Sequence, residues 1–216
     1  MKTICITGHS GSGKSTITKL LKENLPKLTI ITKDDSTTRI SMCTNFKEID
    51  NVPIKTDDIM DYCRRVAMAR TGVSYDASFT DIPTTKIFLD LVSKFFEDRF
   101  AEKLDKVQKE GKSDFVVLDW IYTPKFKIWD EADSRIIVKP SNWKLLEKNI
   151  TKRSQNNNHF VTPEVAQTRY LSAEDVVSNA PNIINEFINS YDARYENEID
   201  QYCKKILSTG DMKYEK

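Results

Sequence analysis

Residues Gly8 to Thr16 read Gly-His-Ser-Gly-Ser-Gly-Lys-Ser-Thr and follow directly on the apolar stretch from Thr3 to Thr7. Three of the 6 glycines in 216 residues are spent in this one loop, which ends in a lysine and two hydroxyls. Glycine so concentrated implies backbone conformations closed to side chains, the requirement when successive N–H groups must turn toward one anion. Gly8, Gly13, Lys14 and Ser15 fill every fixed position of the pattern G-x-x-x-x-G-K-[ST]. Its chemistry is triphosphate binding by a P-loop. The segment Gly8, Ser10, Gly11, Ser12, Gly13 and Thr16, with the helix N-terminus it leads into, wraps the phosphates. Lys14 sets a point charge on the β- and γ-phosphates, and the Ser15 hydroxyl is a magnesium ligand. The bland alternative is a tight strand-to-helix turn. His9 stands at a variable position and is given no catalytic role.

Three further stretches could act on a bound triphosphate. Asp34 and Asp35 come directly after the apolar stretch Leu28–Thr32, where ligands gather at the carboxyl ends of parallel strands. A carboxylate there could take the proton of an acceptor hydroxyl, or simply cap a turn. Asp119 ends the apolar run "VVLD", where it could hold magnesium through water or serve as a helix cap or salt-bridge partner. Lys152, Arg153 and Arg169 flank a polar loop, in position to close over phosphates as a lid; the alternative is a solvated helical face, and Lys152 fits it best.

The elements that must position these residues follow from periodicity. Thr3–Thr7 reads as a buried strand, residues 15–25 as a helix with apolar Ile17, Leu20, Leu21 and Leu25, and Leu28–Thr32 as a second, parallel strand. A helix is expected after Thr56 as N-cap and up to Gly72. A long amphipathic helix runs from Thr84 to about Gly111, its stripe of Phe88, Leu91, Val92, Phe95, Phe96, Phe100, Leu104 and Val107 read as core. Asp114–Trp120 and Ser134–Lys139 are strands, Ser141 or Asn142 caps the next helix, and Thr162 with Pro163 opens another. Asp175–Ser178 is expected as a short fifth strand and the stretch from Asn182 as a closing helix. This order predicts one α/β domain, a five-stranded parallel sheet with helices on both faces.

Composition narrows the class. With 33 basic and 32 acidic residues the net charge is +1, which favours neither a general nucleic-acid binder nor a membrane-surface protein. No apolar run approaches the length of a membrane span, and the N-terminal stretch is no signal peptide. Cys5, Cys43, Cys63 and Cys203 are scattered, which fits free thiols in a reducing cytosol.

Together these pieces resemble the P-loop small-molecule kinases of the nucleoside-kinase and nucleoside-monophosphate-kinase superfamily. The opening "MKTICITGHSGSGKSTITKLLKENLPKLTIITKDD" is similar to uridine and nicotinamide riboside kinases, in which the first Asp of the pair is the catalytic base, here Asp34. "DFVVLDWIYTPKF", "LEKNITKR" and "AEDVVSNAPNIINEF" resemble dephospho-coenzyme A kinase, which places Asn179 near the adenine. The stretch after Asp35 lacks the aromatic pair usual in the first family, and "DWIYTPKF" replaces the proline-leucine run of the second. The resemblance implies a three-layer P-loop NTPase fold in a single domain of residues 1–216, with a lid at about 152–169 and an acceptor-binding helical region at about 40–113. It implies a cytoplasmic, magnesium-dependent enzyme moving the γ-phosphoryl of ATP to a hydroxyl of a nucleoside-like or nucleotide-like molecule. Lys14, Asp34, Arg153 and Arg169 would be catalytic, Asp34 and Asp35 would meet the acceptor, and Ser15 and Asp119 would hold the metal. Alternatives are a kinase of a nucleotide, as a monophosphate or within DNA, and a non-catalytic nucleotide-binding regulatory module.

Overall fold

Side chains buried on both faces decide the sheet. In β1 (Lys2–Thr7), Ile4 and Ile6 point to one face and Cys5 to the other, and all three are fully buried. Val117 in β3 (Phe115–Asp119) likewise opposes Val116 and Leu118. Strands covered on both faces read as continuous apolar runs, as these do. The computed structural model describes residues 1–33, 39–43, 46–156 and 162–213; the side chains of Met42 and of residues 152–156 lie outside that description.

With β2 (Leu28–Thr32), β4 (Ser134–Pro140) and β5 (Asn185–Asn189) the sheet has five strands, all parallel, in the order β2-β3-β1-β4-β5. One face packs on α1 (Lys14–Asn24) and α7 (Ala193–Thr209), through Ile17, Leu21, Tyr195, Ile199 and Tyr202. The other packs on α2 (Ile59–Thr71), α3 (Ile82–Glu110) and the short α4 (Lys127–Glu131). The expected α/β architecture, helices on both faces of a five-stranded parallel sheet, is the one observed.

Local chemistry sets the helix ends. Asp81 accepts the Thr84 N–H at the start of α3, Pro83 occupies its first turn, and Gly111 closes it with φ 61°. Its expected stripe is the core: Phe88, Leu91, Val92, Phe96, Phe100 and Leu104 are buried. α2 starts two residues later than expected. Asp58, not Thr56, is its N-cap and takes the Met60 N–H at 2.7 Å, while the Thr56 hydroxyl accepts from Asp58 N in the turn before. α5 (Trp143–Asn156) follows β4, with Asn142 accepting the Leu145 N–H, and α6 (Pro163–Ser178) opens on Thr162 as expected. Burial pushes the thiols of Cys5, Cys63 and Cys203 up to about 12, and all four cysteines are free.

The fifth strand is not Asp175–Ser178. Those residues are the last turn of α6, because Val177 continues the buried side made by Ala166 and Ala173. The strand lies at Asn185–Asn189, inside the stretch expected as helix, and the closing helix begins only at Ala193 after the cap Asp192. Asn185, Phe187 and Asn189 alternate inward there, and the asparagines carry their burial with hydrogen bonds. Asn185 Nδ2 donates to Ser134 Oγ and to Met212 O, both at 2.8 Å.

Candidate active site at the P-loop

The loop after β1 takes the shape its glycines allow. Gly8, Gly11 and Gly13 have φ of 143°, 82° and 105°, values that side chains strongly disfavour. Space forbids a side chain as well: a Cβ on Gly8 would lie 2.2 Å from the Val138 carbonyl oxygen of β4. The loop's carbonyls are pulled outward by residues from the far end of the chain. Asn189 Nδ2 donates to Ser12 O at 2.9 Å, Tyr191 Oη to Gly11 O at 3.1 Å, and Tyr195 Oη to Gly13 O at 3.1 Å. The C=O and N–H of one trans peptide point in opposite directions, so fixing the Ser12 and Gly13 carbonyls turns the amides of Gly13 and Lys14 to the opposite side of the loop. These three anchors are not foreseen in the sequence.

Lys14 Nζ reaches back over the loop to Gly8 O and His9 O, at 2.6 and 2.8 Å, which sets its ammonium across the hollow the amides surround. Ser15 is exposed on the first turn of α1, and Thr16 donates its N–H to Gly13 O. Thr18 Oγ1 lies 2.8 Å from Lys14 O and 2.9 Å from Asp119 Oδ2, tying the end of β3 to the first turns of α1. Asp119 is half-buried and paired in register with Ile6 and Thr32. A serine hydroxyl and one carboxylate are hard oxygen donors, and they fit Mg²⁺, which keeps several waters and shares the substrate's phosphates rather than filling an all-protein cage.

His9 does more than its variable position in the motif suggests. It is 3% exposed, stacks on Tyr170 of α6 with centroids 4.0 Å apart, and sets Nε2 2.9 Å from Glu174 Oε2. Its Nδ1 is buried without a partner, so the neutral ring, with its proton on Nε2 facing the carboxylate, is the form the site accommodates. Burial outweighs the attraction of Glu174 and, with the Lys14 charge, lowers the imidazole to about 4. The P-loop is thereby fastened to α6.

α6 also carries Arg169. This side chain and Ser10 of the P-loop line one cavity of about 490 Å³, together with Lys33 just past β2, Arg64 of α2, and Trp120 and Tyr122 just past β3. The cavity therefore opens at the carboxyl ends of β2 and β3, beside the triphosphate loop. A second cavity, about 570 Å³ between α2, α3 and the Cys43–Ile49 stretch, includes no P-loop residue in its lining.

Of the residues singled out in the sequence, Gly8, Ser10, Gly11, Ser12, Gly13, Lys14, Ser15 and Thr16 form the loop, Asp119 joins them through Thr18, and Arg169 faces the adjoining cavity. Asp34 and Asp35 lie outside the described residues, as does the Arg153 side chain on α5. Asn179 is an exposed C-cap of α6, and no strand precedes it. β5 follows at Asn185–Asn189, and its last residue, Asn189, touches the loop.

No family model and no curated protein sequence matches the chain. Solved structures do. The fold is similar to that of TT1252 from Thermus thermophilus, at 14% identity and a TM-score of 0.51 over 96% of both chains. The fold is the P-loop α/β fold. Deoxyadenosine kinase from M. mycoides with bound dATP aligns over 95% of this chain and 100% of its own, at 13% identity and a TM-score of 0.48. Dephospho-CoA kinase from Campylobacter jejuni aligns over 95% of both chains, at 16% identity and a TM-score of 0.43. At such identities the likeness is one of fold. Among the described residues no helix is long and apolar enough to cross a membrane.

Proposed function

We propose that the protein is an ATP-dependent phosphotransferase that moves the γ-phosphoryl of ATP to a hydroxyl of a nucleoside-like or nucleotide-like small molecule. One observation carries the reading. The loop built to hold a triphosphate and a cavity large enough for a nucleotide share a wall at Ser10, and cationic side chains line that cavity. In the proposed chemistry the loop amides and Lys14 hold the β- and γ-phosphates while the γ-phosphorus faces the cavity. Asp34, first residue after the described Lys33, takes the proton of the acceptor hydroxyl. Arg169, and Arg153 from the proposed lid, meet the charge that spreads over the transferring group. Ser15 and Asp119 would hold magnesium, which neutralises phosphate charge when bound. The aromatic lining from Trp120 and Tyr122 suits a planar acceptor.

The test is ATP consumption by the purified protein, with magnesium, across nucleosides, nucleotides and dephospho-coenzyme A. Acceptor-dependent ADP formation is expected with at least one of them. ATP binding without turnover for every acceptor, and indifference to replacement of Asp34, would instead mark a nucleotide-binding regulatory module.

A further inference from the structure

The acceptor cavity contains an electrostatic arrangement that a neutral nucleoside leaves unanswered. Arg64, from the inner face of α2, is clamped between aromatic rings, its guanidinium carbon 4.0 Å from the Phe79 centroid and 4.3 Å from that of Phe88. Its Nη1 donates to Ser78 O at 3.0 Å, so the planar fork is held in one orientation. Aromatic faces and the carbonyl and hydroxyl oxygens of Ser78, all neutral, orient the charge without cancelling it. The same cavity is lined by Arg169, from α6, which makes no hydrogen bond or ion pair among the described residues and is exposed. The crowding of protein around it still lowers its pKa by desolvation. Arg64 is lowered too, by burial first, and Arg169's charge adds to that effect, which puts the two cations within each other's field.

Among the described residues two carboxylates line the same cavity; each has a partner of its own, and Asp61's pull on Arg64 is weaker than the push from Arg169. Asp58 caps α2 through the Met60 N–H at 2.7 Å, and Asp61 pairs with Arg65 Nε at 2.9 Å. Two guanidinium groups facing one cavity repel each other, and a dianion between them would relieve that repulsion and take up their donors in pairs.

We infer that Arg64 and Arg169 form a phosphate-binding subsite in this cavity, so that the acceptor is a phosphate monoester, a nucleotide rather than a free nucleoside. This rests on the phosphotransferase reading for the reaction. Arg169, which shares the cavity wall with Ser10 of the P-loop, can bear on both the acceptor's phosphate and the group transferred to it; the alternative is that the pair serves ATP alone, and Arg64 decides between the two. Its rigid neighbours Ser78, Phe79 and Phe88 all belong to the acceptor region between residues 40 and 113, away from the P-loop anchors on β5 and α7.

The test fills the P-loop first. Calorimetry of the full chain with the magnesium complex of a non-hydrolysable ATP analogue establishes whether the loop binds a triphosphate; failure at this step counts against the phosphotransferase reading itself. Inorganic phosphate is then titrated into the analogue-saturated protein and into Arg64→Met, which keeps an unbranched stem between the two rings and removes the charge. Phosphate should bind at one site in the wild type and about 10- to 100-fold more weakly in Arg64→Met, with affinity for the ATP analogue unchanged. Arg64→Lys should fall between them, because it keeps a charge and loses the fork. If Arg64→Met fails to fold, Arg64→Lys and Arg169→Met supply the comparison. Equal phosphate binding in wild type and variants overturns the inference. So does an equal loss of affinity for the ATP analogue, which would assign the pair to the donor. In turnover, a nucleoside 5′-monophosphate should exceed its own nucleoside in kcat/KM; a nucleoside equal to its monophosphate overturns it as well.

Discussion

Replacing Gly8 by alanine should destabilise the protein far more than the same change at Gly111, although both residues have positive φ, 143° and 61°. At Gly111, past the end of α3, a Cβ meets nothing within 4 Å, so the cost is left-handed strain alone, roughly 1–2 kcal/mol. At Gly8 the Cβ would lie 2.2 Å from Val138 O, a main-chain atom of a strand hydrogen-bonded on both sides, and 2.9 Å from Ser12 Oγ. Backbone strain of about 1–3 kcal/mol and overpacking of about 1–3 kcal/mol then add to about 2–6 kcal/mol. That is a large part of the roughly 5–15 kcal/mol stability of a typical domain. Gly13 should fall between the two. Its Cβ meets Asn189 Nδ2 at 2.3 Å, a side chain that can move only by surrendering its bond to Ser12 O. Gly11 should cost more than Gly111 but less than Gly13, because its nearest atoms, Ile150 Cγ1 and Leu146 Cδ1 at 3.1 and 3.2 Å, need to give by only a few tenths of an ångström. Urea unfolding followed by circular dichroism gives the order directly, provided the slope m is unchanged. If Gly8→Ala and Gly111→Ala share one midpoint, the loop is not pressed against β4 and its geometry is misassigned.

Three further outcomes are expected. Asp34→Asn should retain ATP affinity and lose roughly 10²-fold or more in turnover, the usual scale for a general base, as steady-state kinetics beside a binding titration would show. Arg153→Ala and Arg169→Ala should each cut turnover much more than ATP affinity, while Lys152→Ala matters less; loss of ATP affinity at unchanged turnover would make the arginines ground-state clamps. For His9, lowered to about 4 by burial, the unfolded chain binds the proton more readily between about pH 6.5 and 4. Stability should therefore be complete above about pH 6.5 and fall, by at most about 3 kcal/mol from this residue, as pH drops to 4. Denaturant midpoints of the wild type and His9→Gln across that window should differ in slope, and parallel profiles would mean that His9 is not held neutral.

What the sequence made legible was local. Eight residues between a strand and a helix contain the whole constraint of the P-loop, and the stripe of α3 repeats long enough to reveal its inner face. β5 was missed because its inward positions are Asn185, Phe187 and Asn189, and asparagine has low strand propensity. Tertiary partners, among them Ser134 and Met212 for Asn185 and Ser12, 177 residues away, for Asn189, make those asparagines favourable inside. Tyr191, Tyr195 and the His9–Glu174 contact have the same character, since no nearby residue signals them. Arg64 sits on a helix face that reads as ordinary surface until Phe79 and Phe88 close around it.

The triphosphate cradle is tested most directly by titrating magnesium-ATP into the wild type and into Lys14→Ala, with the unfolding midpoint of each measured alongside. Lys14 bonds to the loop carbonyls Gly8 O and His9 O from the carboxyl edge of the sheet rather than from its core, so its removal should change the midpoint little and abolish most of the ATP affinity. Unchanged ATP binding in Lys14→Ala would contradict the assignment of the loop.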